Sequence, residues 1–178
     1  MLKKETRILG LSATPRLKGG PIVVGAIFRG SSWLDGILTC TLRPERGRET
    51  LTLSRAIMRS RQYPQLHAVI ISSDQSVLRE NHITELTRRL KLPVILLLKR
   101  ASVKKRIHPL GGKQYDLNIN GERLHVSAKG ISCQKIQELF NVGCAPDSHV
   151  PEAVRVADLI TKQALRLLDG GRRKSRSQ

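Results

Sequence analysis

The chain has 178 residues, with 32 Lys and Arg against 14 Asp and Glu, a formal net charge of +18. Hydrophobic residues make up 39%, which excludes a disordered tail, and the longest apolar run, residues 94–98, is too short to cross a bilayer. A chain this basic repels itself unless a polyanion neutralises it, so a phosphate backbone is the expected partner and a membrane is not.

Residues 7–13, 22–28 and 34–42 are three short apolar runs, punctuated by Gly20-Pro21 and Gly30-Ser31-Ser32. They predict an antiparallel meander. Residues 49–61 predict a helix with Leu53, Ile57 and, as the last member of the stripe, Met58 on its buried side. Residues 67–72 and 94–98 are continuous apolar runs on either side of a helical stretch with Ile83, Leu86 and Leu90 in register. That pattern predicts parallel strands joined by a helical crossover.

The stretch 99–113 contains Lys99, Arg100, Lys104, Lys105, Arg106 and Lys113 and no acid. It follows a strand's C-terminal end, where α/β sheets place ligands, and is expected to form a loop that clamps phosphates. Asn120-Gly121, flanked by alternating residues, predicts a hairpin. Ser132 is an expected N-cap, with Ile131 and Ile136 as a hydrophobic staple. Pro151 opens a last helix whose apolar stripe runs Val154, Ala157, Ile160, Ala164 and Leu167 or Leu168. Gly170-Gly171 is expected to end it. Residues 1–170 then form one domain, and 171–178 a basic tail carrying Arg172, Arg173, Lys174 and Arg176. That tail either reaches into RNA or only aids solubility.

Other residue types point to little specialised chemistry. Cys40, Cys133 and Cys144 are widely spaced and fit free thiols in a reducing, cytoplasmic setting. The N-terminal residues lack an apolar signal core, which fits the same compartment. The five histidines show no metal-ligand spacing, and none is placed to activate Ser12 or Ser73. Of the aromatics, Phe28 and Phe140 are expected in the core, and Tyr63 and Tyr115 in the core or at its rim. So few aromatics suit recognition of shape and backbone, as in structured RNA, better than base-by-base readout.

Three strands, a helix and a strand, in that order, match a ribonuclease H-like core. The chain further resembles a mainly archaeal family of uncharacterised endonuclease V-like proteins, domain-of-unknown-function family ninety-nine. The resemblance spans roughly residues 7–165. It is carried by Arg7-Ile8-Leu9-Gly10-Leu11 with Pro15, by Ile22-Val23-Val24-Gly25 through Phe28-Arg29-Gly30, and by Trp33-Leu34-Asp35-Gly36-Ile37-Leu38. Gly130-Ile131 and the run from Val150-Pro151-Glu152-Ala153-Val154 to Asp158-Leu159-Ile160 complete it. The implied fold class is α/β, a ribonuclease H-like (endonuclease V-like) mixed sheet flanked by helices.

The resemblance also implies a degenerate nuclease site. Where the family's first strand ends in two acids, this chain has Ser12 and Ala13. Where the family has Asp-Gly after a later strand, it has Ser73 and Asp74. The acidic position at the start of the first helix is kept as Glu49. Nucleases of this fold hold Mg²⁺ in clustered carboxylates, so the substitutions imply lost cutting and no resident metal or other cofactor. Arg16, Lys18 and Arg29 are candidates to hold phosphates at the old cleft. The expectation is a non-catalytic RNA-binding pseudoenzyme, RNA favoured over DNA, and a subunit or factor of a ribonucleoprotein such as the ribosome. The rivals are an endonuclease placing Mg²⁺ between Glu49, Asp74 and Asp35, and a basic module for an acidic protein partner.

Overall fold

Apolar residues alternate face by face along the first strands, and this alternation builds the sheet. The computed structural model describes residues 2–15, 19–42, 48–72, 80–98 and 112–174; of Glu80, Asn81 and residues 169–174 it describes the backbone only. β1 (Arg7–Ala13), β2 (Ile22–Arg29) and β3 (Trp33–Thr41) form the expected antiparallel meander. Helix α1 (Glu49–Met58) returns the chain to β4 (Leu66–Ile71), which lies parallel to β1. Helix α2 (Glu80–Leu90) crosses to β5 (Val94–Leu98), again parallel. The hairpin β6 (Lys113–Ile119) and β7 (Glu122–Lys129) joins antiparallel through β7, and the order across the sheet is β3-β2-β1-β4-β5-β7-β6. Helices α3 (Cys133–Gly143) and α4 (Glu152–Lys174) complete the chain.

The result is a mixed sheet between two helical layers, the ribonuclease H-like architecture expected. On one face Ile8, Ala26, Phe28 and Ile70 pack against Phe140 of α3 and Ala153, Val154 and Ala157 of α4. On the other, Leu9, Leu11, Ile27 and Val69 pack against Leu53 and Ile57 of α1 and Ile83 and Leu86 of α2. β1 and β4 are buried on both sides, hence their unbroken apolar runs. Gly10 lets α4 sit directly on β1: a Cβ there would lie 2.2 Å from the carbonyl carbon of Ala153.

Local signals mostly match the elements. Ser132 caps α3 by accepting from the Lys135 amide at 3.4 Å. Asn120 (φ 50°) and Gly121 (φ 84°) make a turn with two left-handed residues, the geometry a two-residue hairpin needs. Tyr63 and Tyr115 are rim residues whose hydroxyls donate to the carbonyls of Leu90 and Ile131. Three expectations are corrected. Lys113 is the first residue of β6, not part of a loop. Helix α4 continues through Gly170-Gly171 to Lys174; glycine costs a helix only about 1 kcal/mol against alanine and does not by itself end one. The buried stripe of α4 fades before Leu167 and Leu168, which are exposed because the helix has passed the edge of the core.

Candidate functional site

The C-terminal ends of β1 and β4 lie side by side, with the Ser72 amide donating to the carbonyl of Leu11 at 2.8 Å. Neighbouring strand residues point to opposite faces, and this separates Ser12 from Ala13. Ala13 belongs to the core under α1 and α2. Ser12 follows Ile8 and Gly10 onto the face covered by α4. Ser72, continuing from Ala68 and Ile70, faces the same way, and its hydroxyl donates to the carboxylate of Asp158 on α4 at 3.1 Å. Ser12 and Ser72 are buried and Asp158 is half-buried.

Two hydroxyls and one carboxylate therefore come together at the C-terminal ends of β1 and β4, on the face covered by α4. Asp158 lies inside the helical motif Val154-Arg155-Val156-Ala157-Asp158, yet sequence reading passed over it. The signal was an acid on the first turns of a helix otherwise spaced for burial. Glu49 opens α1 at the same end of the sheet, because β3 finishes beside the start of β2. It stands in the helical layer on the opposite face from Asp158. Among the described residues, no group of three or more His, Cys, Asp or Glu side chains could hold a metal.

The other expected site residues are scattered. Arg29 lies at the far end of the sheet, paired in register with Arg7. Five strand residues, roughly 17 Å, separate that level from Ser12. There Arg7 donates to Asp35 at 2.6 Å and Arg29 at 3.4 Å, so Asp35 serves an ion-pair network and does not converge with Glu49. Lys113 is on the far edge strand, its ammonium 5.7 Å from the centre of the Tyr115 ring. Arg172, Arg173 and Lys174 form the last turn of α4. Arg16, Lys18, Ser73, Asp74, Lys99, Arg100, Lys104, Lys105, Arg106 and Arg176 lie outside the described residues.

No protein-family model matches the chain. A UPF0215 protein from Methanosarcina acetivorans is 30% identical over 181 residues, covering 89% of this chain and 90% of that one. The chain belongs to the UPF0215 family. A second UPF0215 protein, from Methanothermobacter thermautotrophicus, is 27% identical over 179 residues, with 89% of this chain and 87% of the relative covered. Among solved structures, a protein of unknown function from Archaeoglobus fulgidus matches this UPF0215 chain with a TM-score of 0.69 at 17% identity, covering 89% and 98% of the two chains. Human endonuclease V matches with a TM-score of 0.63 at 14% identity, covering 92% and 86%. Ciona intestinalis endonuclease V, solved with a 24mer DNA containing an inosine followed by a ribo-adenosine, matches with a TM-score of 0.60 at 11% identity, covering 92% and 87%. The archaeal relatives establish the UPF0215 family for the chain, and the solved structures an endonuclease V-like fold.

Proposed function

We propose that this protein is a nucleic-acid-binding member of the endonuclease V fold that no longer cuts. Its partner is structured RNA, gripped through the phosphate backbone, and it serves as a cytoplasmic subunit or factor of a ribonucleoprotein. The observation that carries this reading is the side-chain set beside Asp158: Ser12 and Ser72 stand at the two strand ends, and neither brings negative charge. Hydroxyls bind Mg²⁺ far more weakly than carboxylates, and a two-metal site needs several charged oxygens. The net charge of +18 supplies the attraction to phosphate.

Asp158 also supports a second reading. With Asp74 it would give an endonuclease the one or two carboxylates that Mg²⁺ takes alongside substrate phosphates. One experiment separates the two. Structured RNA and duplex DNA are incubated with the protein across a salt series, with and without Mg²⁺, and the products are run on a gel. Salt-sensitive binding with intact RNA supports the non-cutting reading. Mg²⁺-dependent cleavage that disappears in Asp158→Asn supports the second. Absence of binding even at low salt removes both and favours an acidic protein partner. Truncation after Gly171 is expected to flatten the salt dependence, by about 0.7–0.9 in log–log slope for each phosphate that the tail neutralises.

A further inference from the structure

Helix α1 is the most lopsided in charge. Residues 132–174, which include α3 and α4, hold seven cations and five carboxylates, and α2 holds Arg88 and Arg89 against Glu80 and Glu85. Residues 48–62, which are α1 and its flanks, hold Arg48, Arg55, Arg59 and Arg61 against Glu49 alone. Arg55 and Arg59 are both exposed. At four residues apart they share one face of α1, about 6 Å apart along its axis. Neither makes an ion pair among the described residues. They line a shallow groove of about 340 Å³ between α1 and the edge strand β3, together with Thr39, Thr41 and Thr52. Of β3 it is Cys40 whose side chain takes the α1 face, while Thr39 and Thr41 alternate away from it. Two guanidiniums and the Thr52 hydroxyl, with no acid among the lining residues, suit phosphate oxygens.

The groove has a direction. Helix α1 starts beside the end of β3 and runs back along it, so that Gln62 donates to the carbonyl of Asp35 at 3.0 Å. Two residues beyond Asp35 is Trp33, the only tryptophan in the chain. The residue is 67% exposed, although indole is among the costliest groups to leave in water. The Arg29 guanidinium lies over it, 5.9 Å from its centre, which steadies the ring and leaves most of it open. Apart from Asp35, which is tied to Arg7 and Arg29, β3 carries no charged residue and no proline to blunt its edge, whereas the opposite edge, β6, carries Lys113 and Asp116.

We infer that the α1–β3 edge is a track for one nucleic-acid strand, with Arg55 and Arg59 on successive phosphates and Trp33 stacking on a base. Arginine with an exposed aromatic is the combination that holds single strands without reading sequence. The track begins at the same end of the sheet as Ser12, Ser72 and Asp158, but on the opposite face, beside Glu49. This inference rests on the proposed nucleic-acid binding and adds where, and in what form, the chain is held.

Trp33 provides its own reporter. The full-length protein is titrated with an end-labelled single-stranded oligonucleotide, then with its duplex, following label anisotropy and tryptophan emission together. Single-strand binding is expected to quench Trp33. Trp33→Ala should weaken single-strand affinity about 5- to 150-fold, the range for removing one stacked aromatic, and change duplex affinity far less. Arg55→Gln with Arg59→Gln should lower the salt slope by about 1.4 for a single strand. The charge-matched pair Lys135→Gln with Lys162→Gln, on the other layer, should leave the slope in place. All these side chains are exposed, so unchanged melting curves certify the fold. Binding with unmoved Trp33 emission, or equal slope losses in both double variants, overturns the track but leaves the nucleic-acid reading standing. No binding of any nucleic acid overturns both. Trp33 emission that depends on protein concentration alone would assign the edge to a second copy of the chain and overturn the track as well.

Discussion

The two faces of the sheet solve different problems. On the α3/α4 face the helix is seated so closely on β1 that Gly10 has no room for a methyl group, and Asp158 is tied to Ser72. On the α1/α2 face the same strands receive a helix whose outer side is arginine-rich, with Arg55 and Arg59 unpaired among the described residues. Both faces bury comparable aliphatic cores. The difference lies in what remains at the surface, and it teaches that the charge of this chain is not spread evenly over its helices, α1 and its flanks carrying Arg48, Arg55, Arg59 and Arg61 against Glu49 alone.

The sharpest way to break the comparison is Gly10→Ala. Its Cβ would meet backbone atoms of Ala153, which no rotamer change can clear, so about 3 kcal/mol or more of stability should be lost in urea denaturation. Met58→Ala on α1, where the side chain is exposed, should cost less than about 0.5 kcal/mol. Similar losses for the two would mean that α4 is not seated tightly on β1.

Ser72→Ala comes next. It strips the Asp158 carboxylate of a donor in a half-buried position and should cost about 1–3 kcal/mol. Asp158→Asn, which keeps the shape and can still accept from Ser72, should cost less. A reversed order would argue that Asp158 is strained and not supported by Ser72.

The thiols extend the contrast to chemistry. Burial, with a smaller contribution from nearby Glu152, pushes the Cys144 thiol up to about 12, while Cys133 is exposed. Alkylation at pH 8 should therefore modify Cys133 first and Cys144 only on unfolding, as peptide mapping would show. A thiol whose value is raised by folding stabilises the native state fully below its ordinary value of 9.0, and that contribution is lost as pH climbs toward 12. The urea midpoint should accordingly fall between pH 9 and pH 11 in the wild type, and less in Cys144→Ala.

The smallest effect belongs to the far edge of the sheet. Arg123 and then His125 hold the Asp116 carboxyl below the usual range by donating to it. The stabilisation is present above the ordinary carboxylate value and fades as pH falls through the lowered one. Asp116 is exposed, so Asp116→Asn should change stability by less than about 1 kcal/mol.

Much of the fold was legible from residue order. The meander, the β4–α2–β5 crossover and the Asn120-Gly121 hairpin each depend on contacts within a few residues or on unbroken apolar runs, and these leave local signatures. The site was legible only in part. Ser12, Ala13 and Glu49 could be placed by their positions at element ends. Arg29 and Asp35 could not, because an antiparallel return puts residues on adjacent strands at either end of the sheet, depending on register.

The sequence by itself determined the charge, the unbroken apolar runs that make a sheet covered by helices on both faces, and the absence of acids at positions 12 and 13. Those are properties of residue type and spacing, and no packing can alter them. Tertiary structure alone decided that Asp158 meets Ser72 across 86 residues, that Asp35 serves Arg7 and Arg29, and that Trp33 is left in solvent beside Arg29. Each of those depends on which strand edge a helix or hairpin comes to rest against, and long-range contacts of that kind carry no periodic signal in the chain.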